Sequence, residues 1–156
     1  MALNTVSSER LSTNVKTSNL GTELKKKVGQ SKNLIINGAF QIAQRGTSST
    51  SSGYHTVDRF KVTYSGTDEA PEQRQASLGT GDTGPYEQGF RKALKITNGN
   101  QTGGAGATDH IRIVNVIEGQ DINGSGWNYL SSSSFITLSF WVKSSVAQNF
   151  YGFIRN

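Results

Sequence analysis

The sequence predicts an all-β fold: an antiparallel, jelly-roll-like β-sandwich preceded by an extended or short-helical N-terminal segment. The chain has 156 residues, of which 18 are glycine and 33% are hydrophobic, and this composition favours many turns and a thin core between two sheets. From residue 33 onward, apolar and polar residues alternate in several short segments, as they do in strands. No fixed repeat period is visible, which disfavours the alternative of a β-solenoid.

Residues 1–32 form a separate segment with near-helical spacing. Five apolar residues recur there at every fourth or fifth position: Leu11, Val15, Leu20, Leu24 and Val28. We expect a helix over about residues 18–28, with an extended or loosely helical stretch before it. Such a one-sided stripe is not stable alone at this length. It therefore predicts packing against a partner surface, against the chain's own β-domain or in a small bundle of copies.

The basic charge of the chain is concentrated in the same segment. The net charge is +5, and residues 1–32 hold six basic against two acidic residues, whereas residues 33–156 hold ten against nine. A nucleic-acid-binding domain spreads its basic residues over a folded face, so we expect no nucleic acid partner. The alternatives for the basic run are a solvated helix end and docking on an acidic protein. No run approaches the length of a membrane span, so no membrane insertion is expected.

From residue 33 the alternation predicts about eight short strands. The first ends at the Asn37–Gly38 turn signal, and a short second strand and a polar loop over residues 45–53 follow it. The later strands are predicted over residues 59–64, 74–78, 92–97, 110–117, 135–144 and from 150 onward, with a polar connector over 118–134. The last strand has no closing turn. We therefore expect either a longer polypeptide or a neighbouring subunit that covers this edge.

Three pieces of the sequence, in order, resemble a known family. Residues 33–62 contain NLIINGAFQIAQRGT and, after a Ser/Thr-rich gap, GYHTVDRFKV. Residues 110–122 read HIRIVNVIEGQDI, and residues 135–145 read FITLSFWVKSS. As a set they resemble the domain of phage tail fibres and other virion surface proteins whose fold is similar to a carbohydrate-binding-module jelly roll. The stretch LNTVSSERLSTNVKTSNLG near the N-terminus looks like a virion-attachment leader.

The resemblance implies a phage virion structural protein with two parts. Residues 1–32 are expected to be a virion-attachment and oligomerisation segment, and residues 33–156 a jelly-roll-like β-sandwich that is truncated at its C-terminal end if the native chain is longer. We expect a tail fibre that projects this sandwich for host attachment. A capsid-surface fibre or decoration protein and a glycan-binding, lectin-like module stay open as alternatives.

The resemblance also implies the partners and the location of the chain. We expect a homotrimer that binds other virion proteins, either a tail adaptor or nozzle or the capsid, through residues 1–32 and their apolar stripe. The protein is expected on the virion, in the tail or on the particle surface, after synthesis in the host cytoplasm. A host surface glycan is a further candidate partner.

No constellation of residues stands out for catalysis, so we expect no enzyme, no cofactor and no metal. The chain has no cysteine, and its acidic residues lie mostly in separate loops, whereas a glycosidase needs two carboxylates at a defined distance. The acids that help to hold a structural calcium in carbohydrate-binding modules of this shape correspond here to Ala39 and Gln41. Asp58 and Arg59 are expected to form a structural ion pair or a turn cap.

Sugar recognition by stacking needs exposed aromatic rings beside amides and charges. Four aromatic residues in or beside predicted loops are the candidate glycan contacts: Tyr54, Tyr86, Trp127 and Tyr129. The alternative for each of them is a ring that covers the edge of the core.

Overall fold

The computed structural model describes residues 33–100, 102–104 and 106–155. In this part of the chain there are five strands and one helix: β1 (Ser48–Ser49), β2 (Phe60–Ser65), β3 (Glu72–Ser77), β4 (Lys92–Thr97), β5 (His110–Asn115) and α1 (Gly119–Ser125). The apolar stripe and the helix expected within residues 1–32 lie outside the described residues. No helix in the described ranges is long and apolar enough to cross a membrane.

The strands form two antiparallel sheets. One has the order β1-β3-β4, in which Glu72 pairs with Thr97 across the β3–β4 hairpin. The other consists of β2 and β5, in which Phe60 pairs with Asn115. The β2–β5 pair therefore encloses the β3–β4 hairpin in sequence while it belongs to a different sheet. The predicted all-β, antiparallel fold is confirmed, and the jelly-roll connectivity stays a prediction.

The core is small and lies under β2. Phe60 and Val62 are buried and the intervening Lys61 is not, as the period of two predicts. Val57 is also buried, and the ring of Phe40 packs edge-on against Phe60 with 4.8 Å between centroids. The core is much less complete over β5.

This asymmetry is clearest in one cross-strand pair. Ile113 lies directly opposite Val62, so the two side chains share a face of the β2–β5 sheet. Val62 is 1% exposed, whereas Ile113 is 51% exposed. The apolar layer that covers β2 thus ends before it reaches β5.

A buried glutamine in β3 joins the β1-β3-β4 sheet to the segment that leads into β2. Gln73 is 1% exposed, and its amide nitrogen donates a hydrogen bond to the carbonyl of Ser51 at 2.7 Å. Its amide oxygen accepts one from the hydroxyl of Thr56 at 2.9 Å, and Thr56 is itself buried. Gly53 in turn bridges to Val62 of β2. The two sheets are therefore linked by satisfied polar groups as well as by apolar packing.

Four predicted elements differ from the structure before residue 135. Residues 33–37 form no strand, because the side chain of Asn33 accepts a hydrogen bond from the backbone N–H of Ile35 at 3.0 Å and a turn follows over residues 36–39. The separate short strand expected after this turn is also absent. The loop expected over residues 45–53 contributes β1, since Ser48 and Ser49 pair with β3. The connector expected over residues 118–134 begins with α1.

The segment predicted as the strongest strand also differs. Residues 135–144 and the stretch after residue 150 form no ladder with any described residue, and most of their apolar side chains are exposed. The alternation of the sequence is present, but a strand exists only when a neighbouring strand takes its backbone hydrogen bonds. The prediction of strands at these positions was therefore wrong for the described chain.

We predict that Gln73→Leu lowers the free energy of unfolding by about 1–3 kcal/mol, because it leaves the buried hydroxyl of Thr56 and the carbonyl of Ser51 without their partner. Urea denaturation followed by circular dichroism measures this change. The matched control is Gln88→Leu in an exposed loop, for which we expect a change within about 0.5 kcal/mol. Equal effects of the two substitutions would contradict the role assigned to Gln73.

Candidate functional site

The residues of the first motif meet at the side chain of Asn37. Asn37 has a φ of 58°, a left-handed conformation that asparagine tolerates better than most residues. Its amide nitrogen donates hydrogen bonds to the carbonyls of Ile42 and Asp58, both at 2.9 Å, and its amide oxygen accepts one from the N–H of Ile42 at 3.1 Å. One side chain therefore holds the Asn-Gly turn, the following extended piece and the Asp58–Arg59 turn together.

Asp58 orients the next part of the motif. Its side chain is 15% exposed, and Oδ1 accepts hydrogen bonds from the backbone N–H of Gln44 at 3.3 Å and from Nη1 of Arg45 at 3.4 Å. Both bonds are long, so each is weak on its own. Their effect is to fix the path of residues 44–45 beside the turn.

Arg59 connects this turn to the chain after β5. Its φ is 73°, and its carbonyl accepts a hydrogen bond from the side-chain amide of Asn115 at 3.1 Å. Its guanidinium forms an ion pair with Glu118, and Nη2 lies 4.0 Å from Oδ2 of Asp121 in α1. The hydrogen bond to Glu118 raises the pKa of Arg59, and the same bond lowers the pKa of Glu118.

These residues line a shallow, open cavity of about 490 Å³. Its walls are formed by the motif residues and by the chain just after β5: Gln44, Arg45, Tyr54, Asp58, Arg59, Val116 and Glu118. The two basic and the two acidic side chains are paired with each other across the network, so the cavity has little net charge. Such a surface suits a neutral, polar ligand better than a phosphate or another multiply charged group.

Two groups in this cavity are available to a ligand. The ring of Tyr54 is 38% exposed, and the side chain of Gln44 is exposed as well. Neither the hydroxyl of Tyr54 nor the side-chain amide of Gln44 has a hydrogen-bond partner among the described residues. An aromatic face with a few polar groups beside it is typical of sites that bind small molecules.

The other three aromatic candidates lie outside this cavity. Trp127 and Tyr129 follow α1 and form an edge-to-face pair with 6.1 Å between ring centroids, and Tyr129 is 61% exposed. Tyr86 is half-buried, and the guanidinium carbon of Arg91 lies 4.0 Å above its ring centre, which covers one face. The structure thus brings together Trp127 and Tyr129, places Tyr54 in the motif cavity, and leaves Tyr86 with one free face at most.

Of the two roles expected for Asp58 and Arg59, a structural ion pair or a turn cap, the structure shows no ion pair between these two side chains. The neighbouring side chains pair in different directions, Asp58 with Arg45 and Arg59 with Glu118. Sequence reasoning missed the contributions of Gln44, Arg45 and Glu118 to a shared cavity. The motif letters QRG and EGQ marked these positions, but nothing in the sequence indicated that pieces 59 residues apart would meet.

A second cluster of acidic side chains fixes the glycine-rich loop before β5. One oxygen of Asp68 accepts hydrogen bonds from the N–H and the hydroxyl of Thr102, at 2.6 and 3.0 Å, and from the N–H of Gly103 at 3.0 Å. The bond from Gly103 and those from Thr102 lower the pKa of Asp68. Glu69 accepts a further bond from the N–H of Asn100 at 2.8 Å. In the described ranges, no group of three or more histidine or acidic side chains is placed to hold a metal ion.

Comparison of the chain with protein-family models, with curated protein sequences and with solved structures finds no match.

We predict a pH-dependent effect of Glu118→Gln on stability. Because the folded state lowers the pKa of Glu118 below its ordinary value of 4.5, its ion pair stabilises the fold above that pH and loses this contribution as the pH falls through the lowered value. The midpoint of thermal unfolding of the variant should therefore lie below that of the wild type at neutral pH, and the gap should narrow on acidification. Differential scanning calorimetry between about pH 7 and pH 3 measures it.

The matched control for this experiment is Glu87→Gln in the exposed loop between β3 and β4. This substitution makes the same charge change away from the network, so we expect no gap that depends on pH. A Glu118→Gln gap of constant size across the whole range would contradict the ion pair as its cause.

Proposed function

We propose that this chain is a structural protein of a phage virion, a tail fibre that attaches to the particle through residues 1–32 and presents its β-domain for host attachment. One observation supports this proposal above the others. Two of the three motif pieces that resemble virion surface proteins are far apart in sequence, yet Asn37 binds the carbonyl of Asp58 and the adjacent Arg59 forms an ion pair with Glu118. A resemblance that arose by chance would not be expected to select residues that contact one another.

The proposed role is attachment and assembly rather than catalysis. The charged groups of the motif cavity hold one another in place, so they act as the frame of the site. The proposed partners are two further copies of the chain in a homotrimer and a tail adaptor, tail nozzle or capsid protein that takes residues 1–32. A capsid-surface fibre or decoration protein would also attach through residues 1–32 and present its β-domain. An image of labelled particles distinguishes a location in the tail from one on the capsid.

We predict that Leu20→Asp combined with Leu24→Asp removes the protein from assembled particles, because two buried charges in the apolar stripe prevent its docking. The amount of the chain in purified particles measures this. The matched control is Asn19→Asp with Thr22→Asp, which adds the same charge to polar positions of the same segment and should leave incorporation unchanged. Circular dichroism of each variant checks that the β-domain still folds.

Normal incorporation of the leucine variant would refute the attachment role of residues 1–32. Loss of incorporation in both variants would also refute the stripe as the docking surface, since it would trace the effect to charge alone.

A second candidate function is recognition of a host surface glycan in the motif cavity. The observation that favours it is the exposed ring of Tyr54 beside the uncommitted amide of Gln44, with the aromatic pair of Trp127 and Tyr129 on the segment after α1. Saccharide rings stack on aromatic faces while their hydroxyls bind amides and carboxylates.

We predict that Tyr54→Ala weakens binding to a glycan identified on an array by tenfold or more, which corresponds to about 1.4 kcal/mol of binding free energy. A parallel double variant, Trp127→Ala with Tyr129→Ala, tells whether the second aromatic pair contributes. Thr80→Ala, at an exposed position in the loop between β3 and β4, is the control and should bind as the wild type does. Failure of the wild type to bind any glycan would favour a purely architectural role.

A further inference from the structure

The last described part of the chain, residues 135–155, exposes far more apolar surface than the rest. It consists of two extended arms joined by a bend, where the hydroxyl of Ser144 donates to the carbonyl of Val146 at 2.7 Å. Ten large apolar side chains between Phe135 and Ile154 are 56–84% exposed. Both arms contain aromatic residues.

The size of this surface is that of a protein interface. With aromatic side chains of about 150–250 Å² each and smaller aliphatic ones, the two arms expose on the order of 1,000 Å² of apolar area. The largest apolar patch of a typical monomer is only about 300–600 Å². A stable interface buries about 800 Å² on each partner. Summed over both faces of the two arms, the exposed apolar area is therefore of the order that one side of a specific interface buries.

The backbone of the first arm also lacks a hydrogen-bonded neighbour strand among the described residues. Residues 135–143, which we call the donor strand, make no ladder hydrogen bond with any described residue. In a strand, where side chains alternate, Ile136, Leu138, Phe140 and Val142 would share one face. Extended backbone with an apolar face binds most readily by adding itself to the edge of a sheet.

The two described sheets have four edges. β1 is only two residues long and β2 is bridged at Val62 by Gly53, so β4 and β5 are the edges that could receive such a strand, and they differ. β4 has Lys92 and Lys95 along its length, and lysines on an edge strand oppose the addition of another strand. β5 instead has Ile113, half-exposed on the face that Val62 shares. A strand added beside β5 with its apolar face on that side would extend the layer that now ends at Val62.

The donor strand of the same chain is held away from β5. The ring of Trp141 lies against the loop between β3 and β4, so close that a β-carbon at Gly84 would come within 2.8 Å of it. Beside it, Nζ of Lys143 contacts Oδ1 of Asp82 at 3.1 Å. These contacts place Trp141 and Lys143 at the loop that closes the β3–β4 hairpin of the other sheet. Among the described residues, the donor strand thus has no sheet edge to pair with, and the outer edge of β5 has no strand.

We propose that the donor strand of one copy pairs with β5 of a second copy, so that the copies exchange strands. This deepens the proposed function, on whose homotrimer it rests, because the contact is heterologous and three copies related by rotation close it into a ring. The apolar face of the donor strand covers Ile113 of the neighbour and completes its core. The interface then combines ladder hydrogen bonds, which give affinity, with alternate side chains, which set the register.

Cysteine crosslinking in the full chain tests this, because the native sequence contains no cysteine. Arg112→Cys on β5 and Ser139→Cys in the donor strand both lie at exposed positions, on the face opposite Ile113 and Leu138. The two variants are purified separately, one with a larger tag, then mixed, refolded together and treated with a short bismaleimide. We expect heterodimers that contain one chain of each kind.

Two further variants serve as matched controls. Thr80→Cys in an exposed loop replaces Ser139→Cys and should give at least tenfold less crosslinked product with Arg112→Cys. Lys95→Cys on β4 replaces Arg112→Cys and should likewise give little product, and preferential crosslinking through position 95 would overturn the choice of β5. Exclusive crosslinking within a single chain that carries both Arg112→Cys and Ser139→Cys, with none between chains, would overturn the exchange itself.

Sedimentation of the purified protein gives an independent reading. Leu138→Asp with Phe140→Asp should convert the oligomer to monomer, whereas Thr137→Asp with Ser139→Asp, on the opposite face, should dissociate it less. An unchanged oligomer in the first variant would overturn the proposal. Failure of strand exchange with normal incorporation into particles leaves the proposed function intact, and interchain crosslinks in a protein absent from particles would refute the proposed function alone.

Discussion

The turn formed by Asp58 and Arg59 is the constraint on which the described part of the chain depends. The side chains of these two adjacent residues carry opposite charges and form separate ion pairs, Asp58 with Arg45 and Arg59 with Glu118. Both carbonyls of the turn are also bound, by the side-chain amides of Asn37 and Asn115. The left-handed backbone of Arg59 is unfavourable for a residue with a β-carbon, and these contacts hold it in place. Two stretches of chain, residues 37–45 and 115–118, are thereby positioned by two residues.

The polar contacts of this turn help to explain how a chain with so little buried apolar surface holds its two sheets together. The described core has few fully buried apolar side chains, and the contact between the sheets depends on the hydrogen bonds of Gln73 as much as on packing. Buried polar networks specify a unique arrangement only when all their members are satisfied. At Ile113 the face of the β2–β5 sheet is open, because neither apolar side chains nor a polar network of the described residues cover it.

The sequence predicted the elements whose pattern is local. The alternation of β2 and of β5 and the whole extent of β4 were found, since period-two patterning follows from the geometry of a single strand. It did not predict β1, which is two serines with no pattern, or the turn after Asn33, where a side chain competes with the strand for a backbone N–H. For the site, it marked Tyr54, Asp58 and Arg59, but the meeting of Arg59 with Glu118 depends on how β5 returns beside β2. This contact depends on the strand topology, which the local patterns of apolar and polar residues do not reveal.

The carboxylate of Asp68 has a consequence for the resistance of the chain to proteases. Exposed loops rich in glycine are the preferred places for proteases to cut, because a protease needs several residues of pliable backbone. Here one ionised oxygen binds two successive backbone N–H groups and a hydroxyl of such a loop, and thereby gives it a fixed path without burying any apolar surface. Single acidic side chains can in this way protect a glycine-rich protein from digestion. They do so in the glycine-rich loops, which are the segments that proteases would otherwise cut first.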